Sequence, residues 1–171
     1  TEVLEYPYDD ILALGKKKFN EDLLDRVRRE KPDLFFAFMF SEEFDFKALD
    51  ELKKITKSVA WFADDHWRIH NYSRRYAPHF TRAVTTWSKA PALYGAYGIT
   101  NIIRSQWACN ETVWMPIETP RDIDVSFIGQ YNSARGRIVR ELRNAGINVW
   151  VRGWGWPEGR LSREEMVAAF S

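Results

Sequence analysis

The sequence predicts an α/β protein: a Rossmann-like, doubly wound parallel sheet followed by the start of a second Rossmann-like unit. Apolar segments without alternation are typical of strands in a parallel sheet, and amphipathic helical segments separate them along the chain. The clearest strand is residues 34–40, LFFAFMF, whose continuous apolar run predicts a strand buried on both faces. The aperiodic residues 116–121 contain two prolines and predict a hinge between two units.

The first unit opens with a predicted strand at residues 1–6, which ends at Pro7. Apolar residues recur at helical spacing through residues 10–30, and the following Lys-Pro pair stops the predicted helix. Residues 46–56 repeat the amphipathic helical pattern. Later segments are predicted as strands at 58–63, 83–87 and 100–103, a helix at 90–97, and a polar helix or irregular turn at 67–80. We expect helices on both faces of this sheet.

The second unit repeats the alternation over a shorter length. It predicts strands at 124–128 and 147–151, with helices at 133–144 and 162–170. Gly146 stops the first of these helices, while Ser162 and Glu165 form the capping-box pattern at the start of the second. Two strands are too few to bury a core, so we assign residues 1–116 to one domain and 117–171 to a linker and an incomplete second domain.

Composition excludes several classes of protein. Apolar residues make up 45% and charged residues 29%, which is the balance of a soluble globular chain. The net charge of +1 gives no field that would attract nucleic acid, and no apolar run is long enough to span a membrane. Cys109 is the single cysteine, so we expect a reducing, cytoplasmic location. The oligomeric state is left open.

Ligands of an open parallel sheet bind at the carboxyl ends of the strands, which directs attention to residues 64–66. Asp64, Asp65 and His66 follow a predicted buried strand. Two adjacent carboxylates could raise each other's pKa and serve as a general base or contact sugar hydroxyls. Equally, one aspartate caps the next helix and the other is solvated. A metal site is disfavoured because adjacent strand residues point to opposite faces and no second ligand set has suitable spacing.

Two loops of the second unit have residues suited to a nucleotide. Gly129 permits a close turn before a helix, and the helix start at Asn132, with Arg135 nearby, suits a phosphate. In the other loop, Trp154 and Trp156 follow Gly153 and could stack on a base or sugar; the alternative is an apolar plug at the sheet edge.

Four segments in order resemble the CgeB-like, spore-maturation-type family of GT-B glycosyltransferases. They are WFADDHWR, ACNETVWMP, DIDVSFIGQYNSARGRIVRELRNAGINVWVRGWGW and GRLSREEMVAAFS. The family features are a strand that ends in Asp-Asp, a small-residue turn before an aromatic and proline, and a Ser-Phe-x-Gly strand followed by an Arg-bearing helix and a Gly-x-Gly-Trp loop. The resemblance covers most of the chain from Trp61 onward.

The resemblance implies two Rossmann-like domains that face a cleft, with acceptor contacts in the first and the nucleotide mostly in the second. It implies sugar transfer from a nucleotide-sugar donor to an unidentified acceptor, a glycan, protein or small molecule, with no cofactor and no obligatory metal. Asp64 or Asp65, with His66 adjacent, would orient or deprotonate the acceptor hydroxyl. The donor-binding residues would be Gly129, Asn132, Arg135, Gly153, Trp154 and Trp156. We expect the acidic pair to face these two loops across a groove.

Members of the family also have a Gly-rich βα unit before the position of Thr1 and acidic ribose-binding residues after that of Ser171. We therefore expect this chain to be a fragment, which alone could be inactive. One alternative is a non-catalytic GT-B-derived module that binds a sugar or a partner. Another is a receiver domain whose acidic pair binds Mg²⁺, which the internal position of that pair and the second βα unit disfavour.

Overall fold

The computed structural model describes residues 2–120 and 122–171, which form an α/β protein with parallel sheets. One compact unit extends to Trp107, and a second begins at Ala108. The predicted boundary was residue 116. The backbone N–H of Ile117, inside the predicted hinge, donates to Ser171 Oγ at 3.0 Å. Trp114, just before the predicted hinge, packs on Phe170. Both residues therefore contact the end of the second unit. Arg121, the last residue of the predicted hinge, lies outside the described residues.

The first unit contains a four-stranded sheet in the order β1-β2-β3-β4, with every neighbouring pair parallel. Its strands are β1 (Leu34–Phe38), β2 (Lys57–Phe62), β3 (Arg82–Thr85) and β4 (Ile102–Arg104). Its α-helices are α1 (Tyr8–Leu14), α2 (Lys16–Glu30), α3 (Phe46–Ile55), α4 (Asp65–Arg68), α5 (Arg74–Tyr76) and α6 (Ala90–Ala96). The parallel sheet and most predicted elements are confirmed to within a few residues.

Two predictions at the amino-terminal end are wrong. Residues 2–7 form no strand, while Thr1 lies outside the described residues. The ring of Tyr6 instead packs on Phe19, and its hydroxyl donates to the Phe19 carbonyl, which draws this segment onto α2. The predicted helix at 10–30 is two helices, because Gly15 adopts a φ of 75° that ends α1 and begins α2.

Helices cover one face of the first sheet, so the expected coverage of both faces is wrong for the described residues. Right-handed crossovers that always step in the same direction place their helices on the same face. Burial agrees with this rule: Ala37, Ala60 and Phe62 lie in the core beneath the helices, whereas Phe36 and Phe38 are about half exposed. The expected burial of strand 34–40 on both faces is therefore wrong as well.

Residues 65–79 form a nearly continuous helical segment, so of the two alternatives predicted for residues 67–80 the helix is confirmed. Between α4 and α5 lies a π-helical stretch, Ile69–Ser73, and a 3₁₀ turn, Ala77–His79, follows α5. The segment is amphipathic, since Ile69, Tyr72 and Tyr76 are buried in the core. π-Helical stretches are frequent near functional sites.

The second unit contains one parallel pair of strands, β5 (Val125–Ile128) and β6 (Val149–Arg152). Its helices are α7 (Ser133–Asn144) and α8 (Arg163–Phe170). The predicted capping box at Ser162 and Glu165 is confirmed. Its small core contains Val139, Val149, Val151 and Trp156. Within the described residues, no helix has both the length and the apolarity needed to cross a membrane.

Candidate functional site

Asp64, Asp65 and His66 follow β2 in succession but occupy three different environments. Because α4 begins at Asp65, successive side chains point in directions about 100° apart. Asp64 is the N-cap residue, is half-buried, and makes no side-chain capping bond. Asp65 is fully buried and His66 is exposed. Of the two carboxylates, only that of Asp64 has access to solvent.

The carboxylate of Asp65 connects α4 to α6. The Tyr94 hydroxyl donates to Asp65 Oδ2 at 3.1 Å, and both side chains are completely buried. Burial, with the neighbouring Asp65 charge, raises the pKa of Tyr94 far above its usual range. Asp65 Oδ1 is also buried and has no hydrogen-bond partner within the described part of the chain. Asp65 thus fixes the start of α4 and does not present its carboxylate to a substrate.

The loop after β1 is held by side chains that the sequence did not single out. The Glu43 carboxylate accepts hydrogen bonds from the backbone N–H groups of Phe40 and Ser41, at 2.9 and 2.7 Å. Arg68 donates to the Phe40 carbonyl and stacks on the Tyr72 ring at 3.8 Å, while the Tyr72 hydroxyl donates to the Ser41 carbonyl. The loop after β1 is therefore bonded to the helical segment that follows Asp64. In the sequence, the one indication of a role for this loop is that Ser41, Glu42 and Glu43 follow the end of a predicted strand.

The two loops of the second unit contact each other through their backbones. The Gly129 N–H donates to the Arg152 carbonyl at 2.9 Å, which extends the pairing of β5 with β6. Gly153 has a φ of 138°, and a Cβ there would lie 2.1 Å from the Gly129 carbonyl oxygen. Any side chain at Gly153 would therefore separate the loops.

Trp154 and Trp156, which the sequence treated as a pair, have different environments. Trp156 is buried, donates its indole N–H to the Gly129 carbonyl at 2.9 Å, and packs edge-on against Tyr131. For Trp156 the structure therefore agrees with the alternative interpretation, in which the ring fills an apolar space at the edge of the sheet and does not stack on a ligand. Trp154 is 63% exposed, so its ring is available to a ligand.

Tyr131 is a residue of this site to which the sequence assigned no role. A Cβ at Gly136 would lie 2.6 Å from the Tyr131 ring, and one at Gly155 would lie 3.1 Å from Tyr131 Cβ. Glycines on both sides therefore make room for this ring. The signal in the sequence was the pair of glycines rather than the tyrosine itself.

The start of α7 is capped by Asn132, which the sequence proposed as a donor-binding residue. The Asn132 side chain accepts from the Arg135 N–H at 2.9 Å. The Arg135 guanidinium donates to the Gln130 carbonyl at 2.7 Å, so it lies over the turn that precedes the helix. Helix geometry leaves the N–H groups of Ser133 and Ala134 without acceptors inside the helix. They point toward the side on which an anion would bind.

Five of the six predicted donor-binding residues, Gly129, Asn132, Arg135, Gly153 and Trp156, build one pair of contacting loops, and Trp154 projects from the same loop pair. The described residues contain no group of three or more His, Cys, Asp or Glu side chains that could hold a metal ion. That sugar transfer needs no cofactor and no obligatory metal stays a prediction.

Comparison with models of known protein families finds no match to the chain, and a search of curated proteins finds none either.

Proposed function

We propose that the chain belongs to a GT-B glycosyltransferase that transfers a sugar from a nucleotide-sugar donor to an acceptor hydroxyl. The observation that carries the proposal is the contacting loop pair at the start of α7. Gly129 and Gly153 bring the carboxyl ends of two parallel strands together beside a helix N-terminus. Parallel α/β units bind phosphate groups at this position, because exposed N–H groups and the helix dipole both favour an anion.

On the donor side, the diphosphate would accept hydrogen bonds from the N–H groups of Ser133 and Ala134. Arg135 supplies the nearest positive charge, and its bond to the Gln130 carbonyl holds it at the turn. Developing negative charge on the leaving diphosphate is then stabilised by groups already in place. The exposed ring of Trp154 would cover one face of the base or sugar.

On the acceptor side, Asp64 is the carboxylate that can contact a hydroxyl, since Asp65 is buried against Tyr94. Asp64 would accept the proton of the attacking hydroxyl, whose oxygen would bond to the anomeric carbon. The bond between that carbon and the diphosphate oxygen would break, and the nucleoside diphosphate would leave with its electron pair. Of the predicted catalytic residues Asp64, Asp65 and His66, the proposal has Asp64 act on the substrate and Asp65 position α4. His66 is exposed beside Asp64 and stays a candidate for substrate contact.

Release of nucleoside diphosphate from a panel of nucleotide sugars tests the proposal in this chain, with water as the acceptor. We expect release from at least one member of the panel and at least a tenfold loss in Asp64→Asn. Asp33→Asn, at an exposed aspartate just before β1, is the control for the loss of a carboxylate elsewhere in the same unit. Release that Asp64→Asn leaves unchanged would contradict the role of Asp64.

A second function, a non-catalytic sugar-binding module, is favoured by one specific observation. Arg135 and Trp156 both direct their polar groups to backbone carbonyls of their own loops. Trp154 alone would then bind a sugar ring by stacking. Binding of a nucleotide sugar without any release of diphosphate, lost in Trp154→Ala, is the result that this function predicts.

A further inference from the structure

The face of the first sheet that lies opposite the helices is apolar and partly exposed. Residues adjacent in the strand register share this face, so that Phe36 lies beside Val59, and Phe38 beside Trp61. Val84 and Ile103 continue it across β3 and β4. We call these six residues, with Trp107, the outer face.

The exposed area of the outer face is comparable with the largest apolar patch on a typical monomer. Phe36, Phe38 and Trp107 are 53%, 51% and 59% exposed. Since a whole aromatic side chain has an area of about 200 Å², these three expose on the order of 300 Å². Contiguous apolar patches of this size are often functional, and parallel sheets are normally covered on both faces.

Trp107 lies over this face and not beside it. Its ring is 6.1 Å from that of Phe38 and 5.8 Å from that of Trp61. Beneath it, the indole N–H of Trp61 is buried and has no hydrogen-bond acceptor within residues 2–120 and 122–171. A polar group buried without a partner costs free energy, so the packing of Trp107 on Trp61 is not a fully satisfied core contact.

The charged strand residues on the side of the outer face have one sign. Lys57 pairs in register with Leu34, and Arg82 pairs with Val59, so both cations lie on this side at the amino ends of their strands. No ion pair to either is found in the described part of the chain. The strand residues on this face include no acid. A partner that covers it must therefore bring carboxylates as well as an apolar surface.

We propose that the outer face binds an amphipathic α-helix whose apolar stripe covers Phe36, Phe38 and Trp107 and whose flanking Asp or Glu residues pair with Lys57 and Arg82. A helix is the element that packs on an open face of a parallel sheet. A second copy of the chain fits less well, because it would add two more cations to the interface and no carboxylate. The proposal is independent of glycosyl transfer.

Two labelled synthetic helices with the same leucine stripe, flanked by Glu in one and by Lys in the other, are the probes. Fluorescence anisotropy with the full chain measures both affinities. We expect the Glu-flanked helix to bind at least tenfold more tightly than the Lys-flanked one. Phe38→Ser should weaken binding of the Glu-flanked helix at least tenfold. Phe170→Ser, at an exposed aromatic residue of the second unit, should leave that binding unchanged.

Reversing the charges distinguishes specific docking from nonspecific hydrophobic binding. In the double variant Lys57→Glu, Arg82→Glu the preference should change to the Lys-flanked helix. Circular dichroism confirms that each variant is folded. Equal affinity for both helices in the parent chain, or an unchanged preference in the double variant, would overturn the proposal. So would a dimer in light scattering that Phe38→Ser converts to a monomer, since the occupant would then be a second copy.

Discussion

Replacement of Gly153 by alanine should destabilise the second unit more than alanine at any other glycine of that unit. The φ of 138° is unfavourable for alanine, and the new Cβ would lie 2.1 Å from the Gly129 carbonyl oxygen. Backbone strain of this kind costs about 1–3 kcal/mol, and a forced shift of packed atoms costs about 1–3 kcal/mol more. The sum of about 2–6 kcal/mol is comparable with the whole stability of a unit of this size, on the order of 3–10 kcal/mol.

Gly159→Ala is the control, because Gly159 also has a positive φ, of 79°, but no atom within 4 Å of the added Cβ. It should cost about 1–2 kcal/mol from the backbone alone. Hydrogen exchange measured by mass spectrometry on β5 and β6 reports the stability of the second unit directly. We expect exchange of these strands to be much faster in Gly153→Ala than in Gly159→Ala, whose cost corresponds to exchange about 5–30-fold faster than in the parent. Equal exchange in the two variants would refute the close contact between the loops.

Three further predictions concern buried polar groups. Tyr94→Phe should lower the free energy of unfolding by about 1–3 kcal/mol, because it removes the hydroxyl that donates to Asp65; urea unfolding should show a smaller loss in an Asp65→Asn background. Burial raises the pKa of Tyr76 to about 12 from its ordinary 10.0, so its contribution to stability is complete below pH 10 and is lost as the pH rises through 12. Alkaline unfolding followed at 295 nm should therefore be less steep in Tyr76→Phe, and an unchanged profile would contradict this. Trp156→Phe should cost about 1–3 kcal/mol through the lost bond to the Gly129 carbonyl, while Trp154→Phe should stay within about 0.5 kcal/mol of the parent.

Local signals in the sequence predicted the local structure well. The helix Ser133–Asn144 has the predicted bounds, and the capping box at Ser162 forms as the spacing indicates. Both depend on residues three or four apart, for which propensity and capping chemistry are enough. The parallel pairing of β1 to β3 also follows from apolar runs that alternate with helices.

The errors come from information that is not local. Whether LFFAFMF is buried on one face or both depends on strand order, because strands that follow each other in one direction receive their helices on one side. The sequence treated Trp154 and Trp156 alike, yet only the ring of Trp156 enters the core, where it meets Phe127 and Tyr131 from the other loop and strand. Similarly, Asp64 and Asp65 separate because the helix begins between them, which residue type cannot reveal.

The claim on which the account depends is that the start of α7 binds the diphosphate of a nucleotide sugar. Titration of the isotope-labelled chain with the nucleotide-sugar panel, followed by amide nuclear magnetic resonance, tests it at single residues. We predict that the largest shifts occur at Ser133 and Ala134, and that Arg135→Ala weakens binding at least tenfold while Arg140→Ala, farther along the same helix, does not. The absence of shifts at these two amides with every donor, or equal effects of the two arginine variants, would contradict the account.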